Sequence, residues 1–157
     1  MADEPNDDYV QLAALGAEIH GVFDRITRQA ADLTLVQFRA LSTLVAANPN
    51  ALEPHEVARA VHIASNHMAK VIGRLEALGL VERRMHEMDR RRRLLTPTDA
   101  GVALVESTLP QIDAVQRRVM GEAFTPAERA QLREMVVRLR RTLWERIVPV
   151  DPIRPGP

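Results

Sequence analysis

The sequence predicts a mainly α-helical protein, a central three-helix unit closed by a β-hairpin and flanked by long helices at both ends. Three observations carry this. Apolar residues recur at three- and four-residue steps through most of the 157-residue chain, the spacing of a helix with one buried face. Helix starts carry cap signatures, a Thr with Gln or Glu three positions on. Between the fourth and fifth helical patterns, residues 80–96 read as two short strands around a polar tip.

The elements follow in order. Residues 1–8 read as a frayed tail. From Tyr9 to about Ala30, Tyr9, Leu12, Leu15, Ile19, Val22, Phe23 and Ile26 make one wide apolar face. Thr34 and Gln37 form a capping box for a second helix, which runs to Ala47 and stops at Asn48-Pro49-Asn50. Pro54 suits the first turn of a short third helix bearing Val57, Ala58 and Val61. His62-Ile63-Ala64 links it to a fourth, Ser65 to Leu78, with Met68, Val71, Ile72, Leu75 and Leu78 as its buried stripe. Gly79 is placed to close that helix in a left-handed conformation.

Two strands are expected at Leu80–Met85 and Arg91–Thr96, with a turn near Glu87–Arg90. Thr98 caps a long fifth helix to about Ala123, and Pro110 inside it is expected to kink it. Thr125-Pro126-Ala127-Glu128 starts a sixth helix expected to reach Ile147, followed by a Pro-rich irregular tail. The chain thus divides into 1–33 (tail and first helix), 34–97 (central unit), 98–148 (C-terminal helices) and 149–157 (tail).

Composition narrows the function. With no cysteine there is no disulfide, thiol switch or Cys-based zinc site. No long apolar run suggests a membrane span, and the acidic N-terminus is unlike a signal peptide, so a cytoplasmic protein is expected. Aromatics are only 3%, too few for base stacking to dominate binding. The net charge of zero hides an asymmetry. Residues 1–54 carry three basic and eight acidic side chains, whereas residues 55–98 carry nine basic and five acidic. A basic middle is what a phosphate-binding surface looks like, although a solvated charged face looks the same. No Gly-rich phosphate loop, Gly-x-Ser-x-Gly elbow or His-Glu-x-x-His pair argues for an enzyme.

Residues 52–101 carry a further pattern. Leu75-Glu76-Ala77-Leu78-Gly79-Leu80-Val81-Glu82-Arg83 is followed by Asp89-Arg90-Arg91 and then, eight residues after Asp89, by Pro97-Thr98-Asp99-Ala100-Gly101. In order and spacing these resemble the winged helix-turn-helix of the multiple antibiotic resistance regulator (MarR) family, whose motifs are Leu-Glu-x-x-Gly-Leu-Val-x-Arg, Asp-Arg-Arg and Leu-Thr-x-x-Gly. Helix number and order extend the likeness to about residues 9–147. Four departures stand out: Pro97 replaces Leu, so the second strand is expected to end at Thr96; His86 stands where the wing often has Asp; Ala64 stands at the usual Ser cap; His67 stands where Thr is common.

The resemblance implies a mainly α winged helix-turn-helix with N- and C-terminal dimerisation helices. The second helix of such a motif enters the major groove. Its exposed candidates are Ser65, Asn66, His67, Ala69, Lys70 and Arg74, with Gly73 allowing close backbone approach. Asn can pair bidentately with adenine, and Lys or Arg can reach guanine or phosphate. The wing candidates are Arg84, Asp89, Arg90, Arg91, Arg92 and Arg93, with Arg83 nearby. By resemblance Arg90 or Arg91 enters the minor groove, whose negative potential favours Arg, and Asp89 orients a neighbour. The apolar faces of the outer helices need a cover, and a second copy of the chain is the economical one. Leu12, Leu15, Ile19, Leu139, Leu143 and Trp144 are the dimer candidates.

The expected function is a dimeric DNA-binding regulator on a pseudo-palindromic operator, a repressor released by a small aromatic or phenolic effector. The effector-lining residues are left open, and no cofactor or metal is assigned. The alternatives are a metal-responsive regulator, using some of His20, His55, His62, His67 and His86, and a winged-helix protein-interaction module that binds no DNA.

Overall fold

A computed structural model describes residues 7–85 and 92–143. Among them the order is α1 (Asp7–Ala31), α2 (Leu35–Ala47), α3 (Pro54–Val61), α4 (Ser65–Ala77), β1 (Val81–Met85), β2 (Arg93–Pro97), α5 (Asp99–Ala123) and α6 (Pro126–Thr142). The expected turn at Glu87–Arg90, the sixth helix beyond Leu143 and the Pro-rich tail lie outside the described residues.

Local chemistry sets the boundaries. The Thr34 hydroxyl accepts from the Gln37 N–H while the Gln37 side chain accepts from the Thr34 N–H, a closed capping box. Thr125 and Glu128 repeat the arrangement at α6, with Pro126 in the first turn. These bonds to Thr125 hold the Glu128 carboxyl below the ordinary carboxylate value. Gly79 ends α4 with φ +68°, a conformation that suits glycine because it lacks a Cβ. Leu78 is the C-cap of α4 and 37% exposed. Its expected place in the buried stripe is therefore corrected: the helix has turned past its core face by that position.

One core joins the central unit. Phe38, Leu41 and Leu44 of α2 meet Val57, Ala58 and Val61 of α3, and Met68, Val71, Ile72 and Leu75 of α4. Leu33, Leu80, Val81, Leu95, Val105 and Ile112 close it. α5 buries Gly101, Val105, Thr108 and Ile112, all in its first fourteen residues. It continues as helix through Pro110. α1 buries only Thr27, and α6 buries nothing.

β1 and β2 pair antiparallel from Val81 opposite Pro97 to Met85 opposite Arg93. The strand therefore includes Pro97, one residue beyond the expected end. Pro lacks an N–H, but it sits at the last rung, and the next residue, Thr98, donates to the Leu80 carbonyl at 3.1 Å. The sequence reading also missed a bridge between Leu52 and Leu95. Ala51 and Leu52, the two adjacent apolar residues between Pro49 and Pro54, carry no periodic signal.

Candidate nucleic-acid interface

α4 displays one face and buries the other. Met68, Val71, Ile72 and Leu75 are in the core, while Ser65, Asn66, His67, Ala69, Lys70, Gly73 and Arg74 are all exposed. The six candidates named for this helix thus share its solvent side. The helix starts at Ser65, with Ala64 as an N-cap that has no side chain able to cap. Asn66 partly replaces the missing cap, because its Oδ1 accepts from the His67 N–H at 2.8 Å. A Cβ built on Gly73 meets nothing within 4 Å, so a surface can approach the backbone closely there.

The wing follows directly and is tied to α4. Arg83 on β1 donates Nε and Nη2 to the two carboxylate oxygens of Glu76, both at 2.9 Å. Such a two-pronged pair fixes direction as well as distance. The Glu and Arg of the Leu-Glu-x-x-Gly-Leu-Val-x-Arg pattern are therefore a strut between the exposed helix and the hairpin. Arg84 is exposed and pairs with Glu82 at 3.0 Å. Arg93 is exposed at the first position of β2, and Arg92 just before it reaches Glu53. Asp89, Arg90 and Arg91 lie outside the described residues.

Asp24 joins α1 to this unit. Its Oδ1 accepts from the Leu35 N–H at 2.8 Å and its Oδ2 from Arg28 Nε at 2.6 Å. The Arg28 bond, then the Leu35 N–H, hold the Asp24 carboxyl below the ordinary carboxylate value, outweighing partial burial. A group depressed on folding stabilises above its unfolded value and loses that contribution as pH falls through the folded one. Asp24→Asn should therefore lower the melting temperature at neutral pH. The gap to wild type should close as pH falls below about 3.8; thermal melts from pH 7 to pH 3 check this, and a gap constant with pH would refute it.

Next to Asp24 lies a cleft of about 350 Å³ between α1, the start of α2 and α4. His20, Asp24 and Arg28 line it from α1, Thr34, Val36 and Gln37 from α2, and His67, Lys70 and Val71 from α4. Its polar lining is mostly cationic or neutral, with Asp24 already engaged by Arg28 and Leu35. Sequence reasoning named His67 and Lys70 for DNA but had no signal that joins them to residues forty positions earlier. Elsewhere, His62 in the α3–α4 turn adopts φ +59°. Burial first, then Arg140 and Arg39, lower its pKa. Among the described residues no three His, Asp or Glu side chains are placed to hold a metal ion, and His86 lies outside them.

A buried three-helix unit with an exposed α4, braced to a two-stranded hairpin, defines a winged helix-turn-helix protein. Residues 31–92 match the model of the MarR family. Among solved structures, the Staphylococcus aureus MepR–DNA complex is 21% identical with a TM-score of 0.80, over 89% of this chain and 100% of that one. Sco3205 of Streptomyces coelicolor, a MarR family transcriptional regulator in complex with DNA, is 26% identical with a TM-score of 0.75, over 90% and 93%. CouR of Rhodococcus jostii RHA1, bound to p-coumaroyl-CoA, is 20% identical with a TM-score of 0.72, over 85% and 93%. No curated protein matches by sequence. The chain thus has the winged-helix fold of these regulators, and its residues 31–92 are similar to the MarR family.

Proposed function

We propose that the chain is a dimeric, sequence-specific repressor whose α4 reads the major groove while the wing holds the backbone and minor groove. The observation that carries this reading is the solvent face of α4, made of Ser65, Asn66, His67, Ala69, Lys70 and Arg74 and braced to the wing by Glu76 and Arg83. Asn66 and Lys70 are the base readers. Arg90 and Arg91, which the resemblance assigns to the wing, act through phosphate and groove potential. A two-fold dimer presents two such helices, so the operator is an imperfect palindrome with half-sites about 34–36 Å apart.

The test is a salt titration on two duplexes, one selected from a random pool and one unrelated. Asn66→Ala should weaken the selected duplex by about 1–3 kcal/mol, the worth of a bidentate base contact, and leave the unrelated one nearly unchanged. Arg91→Ala should weaken both and reduce the salt slope by about one. If instead Asn66→Ala lowered the salt slope and Arg91→Ala left it intact, the assignment of roles would be wrong.

Release by a small phenolic or aromatic anion completes the reading. The cleft against His67 and Lys70 supports it, since an anion seated there beside Lys70 would compete with DNA for that side chain. CouR, bound to p-coumaroyl-CoA, supplies the precedent for a phenolic acyl group on this fold. Such an effector must favour the lobe arrangement that fits DNA poorly. Millimolar salicylate or p-coumarate should loosen the wild-type complex and have less effect on a His20→Ala variant.

A further inference from the structure

The segment that opens the helix-turn-helix is joined to the wing at two consecutive residues. Leu52 and Leu95 exchange both backbone hydrogen bonds, at 3.1 and 2.8 Å. Glu53, next in the chain, is the N-cap of α3, and its N–H donates to the Glu56 carboxylate at 2.7 Å. Its own side chain turns toward the wing. Oε1 accepts from Arg92 Nε at 2.7 Å and also from Arg92 Nη2, while Oε2 lies 3.5 Å from His55 Nδ1. The Glu53 side chain is only 17% exposed and that of Arg92 49%. This carboxylate is therefore largely sheltered, and the arginine it holds is the third of the four consecutive arginines from Arg90 to Arg93.

We infer that Glu53 is a positioning and specificity-determining residue, which takes Arg92 out of phosphate binding and uses it to fix the angle of the wing on α3 and α4. The inference rests on the DNA-binding reading above. Its physical basis is twofold. An arginine neutralised by a carboxylate releases no counterion when DNA binds, so it adds nothing to the salt-dependent term shared by all sequences. A carboxylate beside the wing also repels the duplex. Glu53 thus lowers affinity for DNA in general. In return, the wing and α4 meet the duplex as one rigid piece, because the strut from Glu76 to Arg83 holds the other strand. A rigid pair of elements fits only those sequences whose groove geometry matches both at once.

A double-mutant cycle tests this with full-length Glu53→Gln, Arg92→Ala and the combination, each titrated with salt on a duplex selected from a random pool and on an unrelated one. Glu53→Gln should bind the unrelated duplex about threefold tighter or more, with a salt slope steeper by about one. Its preference for the selected duplex should fall. Arg92→Ala alone leaves the Glu53 carboxylate unpaired, so it should weaken the unrelated duplex slightly without lowering its slope by a full unit, while also reducing that preference. In the Glu53→Gln background, Arg92→Ala should remove the added slope. A variant that is merely destabilised loses affinity for both duplexes, the opposite of the expected gain. The inference is overturned if Arg92→Ala in the wild-type chain lowers the slope by about one, since Arg92 would then already hold a phosphate. It is equally overturned if Glu53→Gln changes neither affinity nor slope. A wild-type chain that binds neither duplex at low salt would remove the regulator reading and this inference together.

Discussion

Gly101→Ala should lower stability at or beyond the upper end of the 1–3 kcal/mol that overpacking a core usually costs. A Cβ at Gly101 falls 2.2 Å from the Leu80 carbonyl oxygen, 3.1 Å from Leu41 Cδ1 and 3.2 Å from the Leu80 carbonyl carbon. Two of these atoms are backbone, so no rotamer change clears them. The first turn of α5 would have to lift off the start of the wing. That movement strains Thr98, whose N–H donates to Leu80 O at 3.1 Å, whose hydroxyl donates to Gly79 O at 2.7 Å, and whose Oγ1 accepts from the Gly101 N–H at 3.1 Å. For a chain of this length, a loss of about 3 kcal/mol corresponds to a melting temperature lower by roughly 6–12 °C. Gly73→Ala is the control. The chemical change is the same, but its Cβ meets nothing within 4 Å, so the gain in helix propensity should raise stability by up to about 0.8–1 kcal/mol. Thermal melts of both variants at one protein concentration decide the matter; equal shifts for the two would show that the close approach is not what matters at Gly101.

The same glycine shows why parts of the fold were legible in the sequence. Gly101 and Thr98 belong to a short pattern whose cause is local: a cap on α5 and a backbone approach one turn later. Capping boxes at Thr34 and Thr125, the Pro54 start and the Gly79 stop are likewise written within four residues of where they act, and each appears in the structure. The exposed face of α4 was legible for a related reason, since a helix with four core residues at fixed steps can expose only the remaining ones. What escaped the sequence acts over distance. Arg92 and Glu53 are thirty-nine positions apart. Leu52 finds Leu95 across a similarly long interval, and Asp24 reaches Leu35 across a helix–helix corner. No periodicity links such pairs, because each depends on how elements pack rather than on how one element repeats. The wing arginines illustrate the consequence: a run of like charges reads as one basic patch, whereas the described side chains of Arg83, Arg84 and Arg92 each have a specific carboxylate partner.

Disrupting the outer helices should have the largest effect on binding. Tyr9, Val10, Leu12, Leu15, Ile19 and Val22 of α1 are each 45–62% exposed, and Met135, Val136, Val137 and Leu139 of α6 are 42–63% exposed. Exposed apolar area on this scale marks an interaction surface. α1 and α6 nevertheless keep a strong helical apolar pattern, and burying each such side chain contributes about 1.5–3 kcal/mol. In the proposed dimer, a second copy of the chain related by a two-fold axis would cover both helices at once; Trp144, the sixth dimer candidate, lies outside the described residues. Leu15→Asp combined with Leu139→Asp places four carboxylates in that interface, two from each copy. Sedimentation at micromolar concentration should then show a dimer for the wild type and a monomer for the variant. Because the two half-sites are no longer linked, affinity for the selected duplex should fall by about 10²–10⁴. The salt slope should drop to roughly half, as one copy neutralises half the phosphates. Far-ultraviolet circular dichroism should still report the central helices, whose core lies within one chain. A wild type that sediments as a folded monomer and yet protects a full palindrome would overturn the two-fold arrangement.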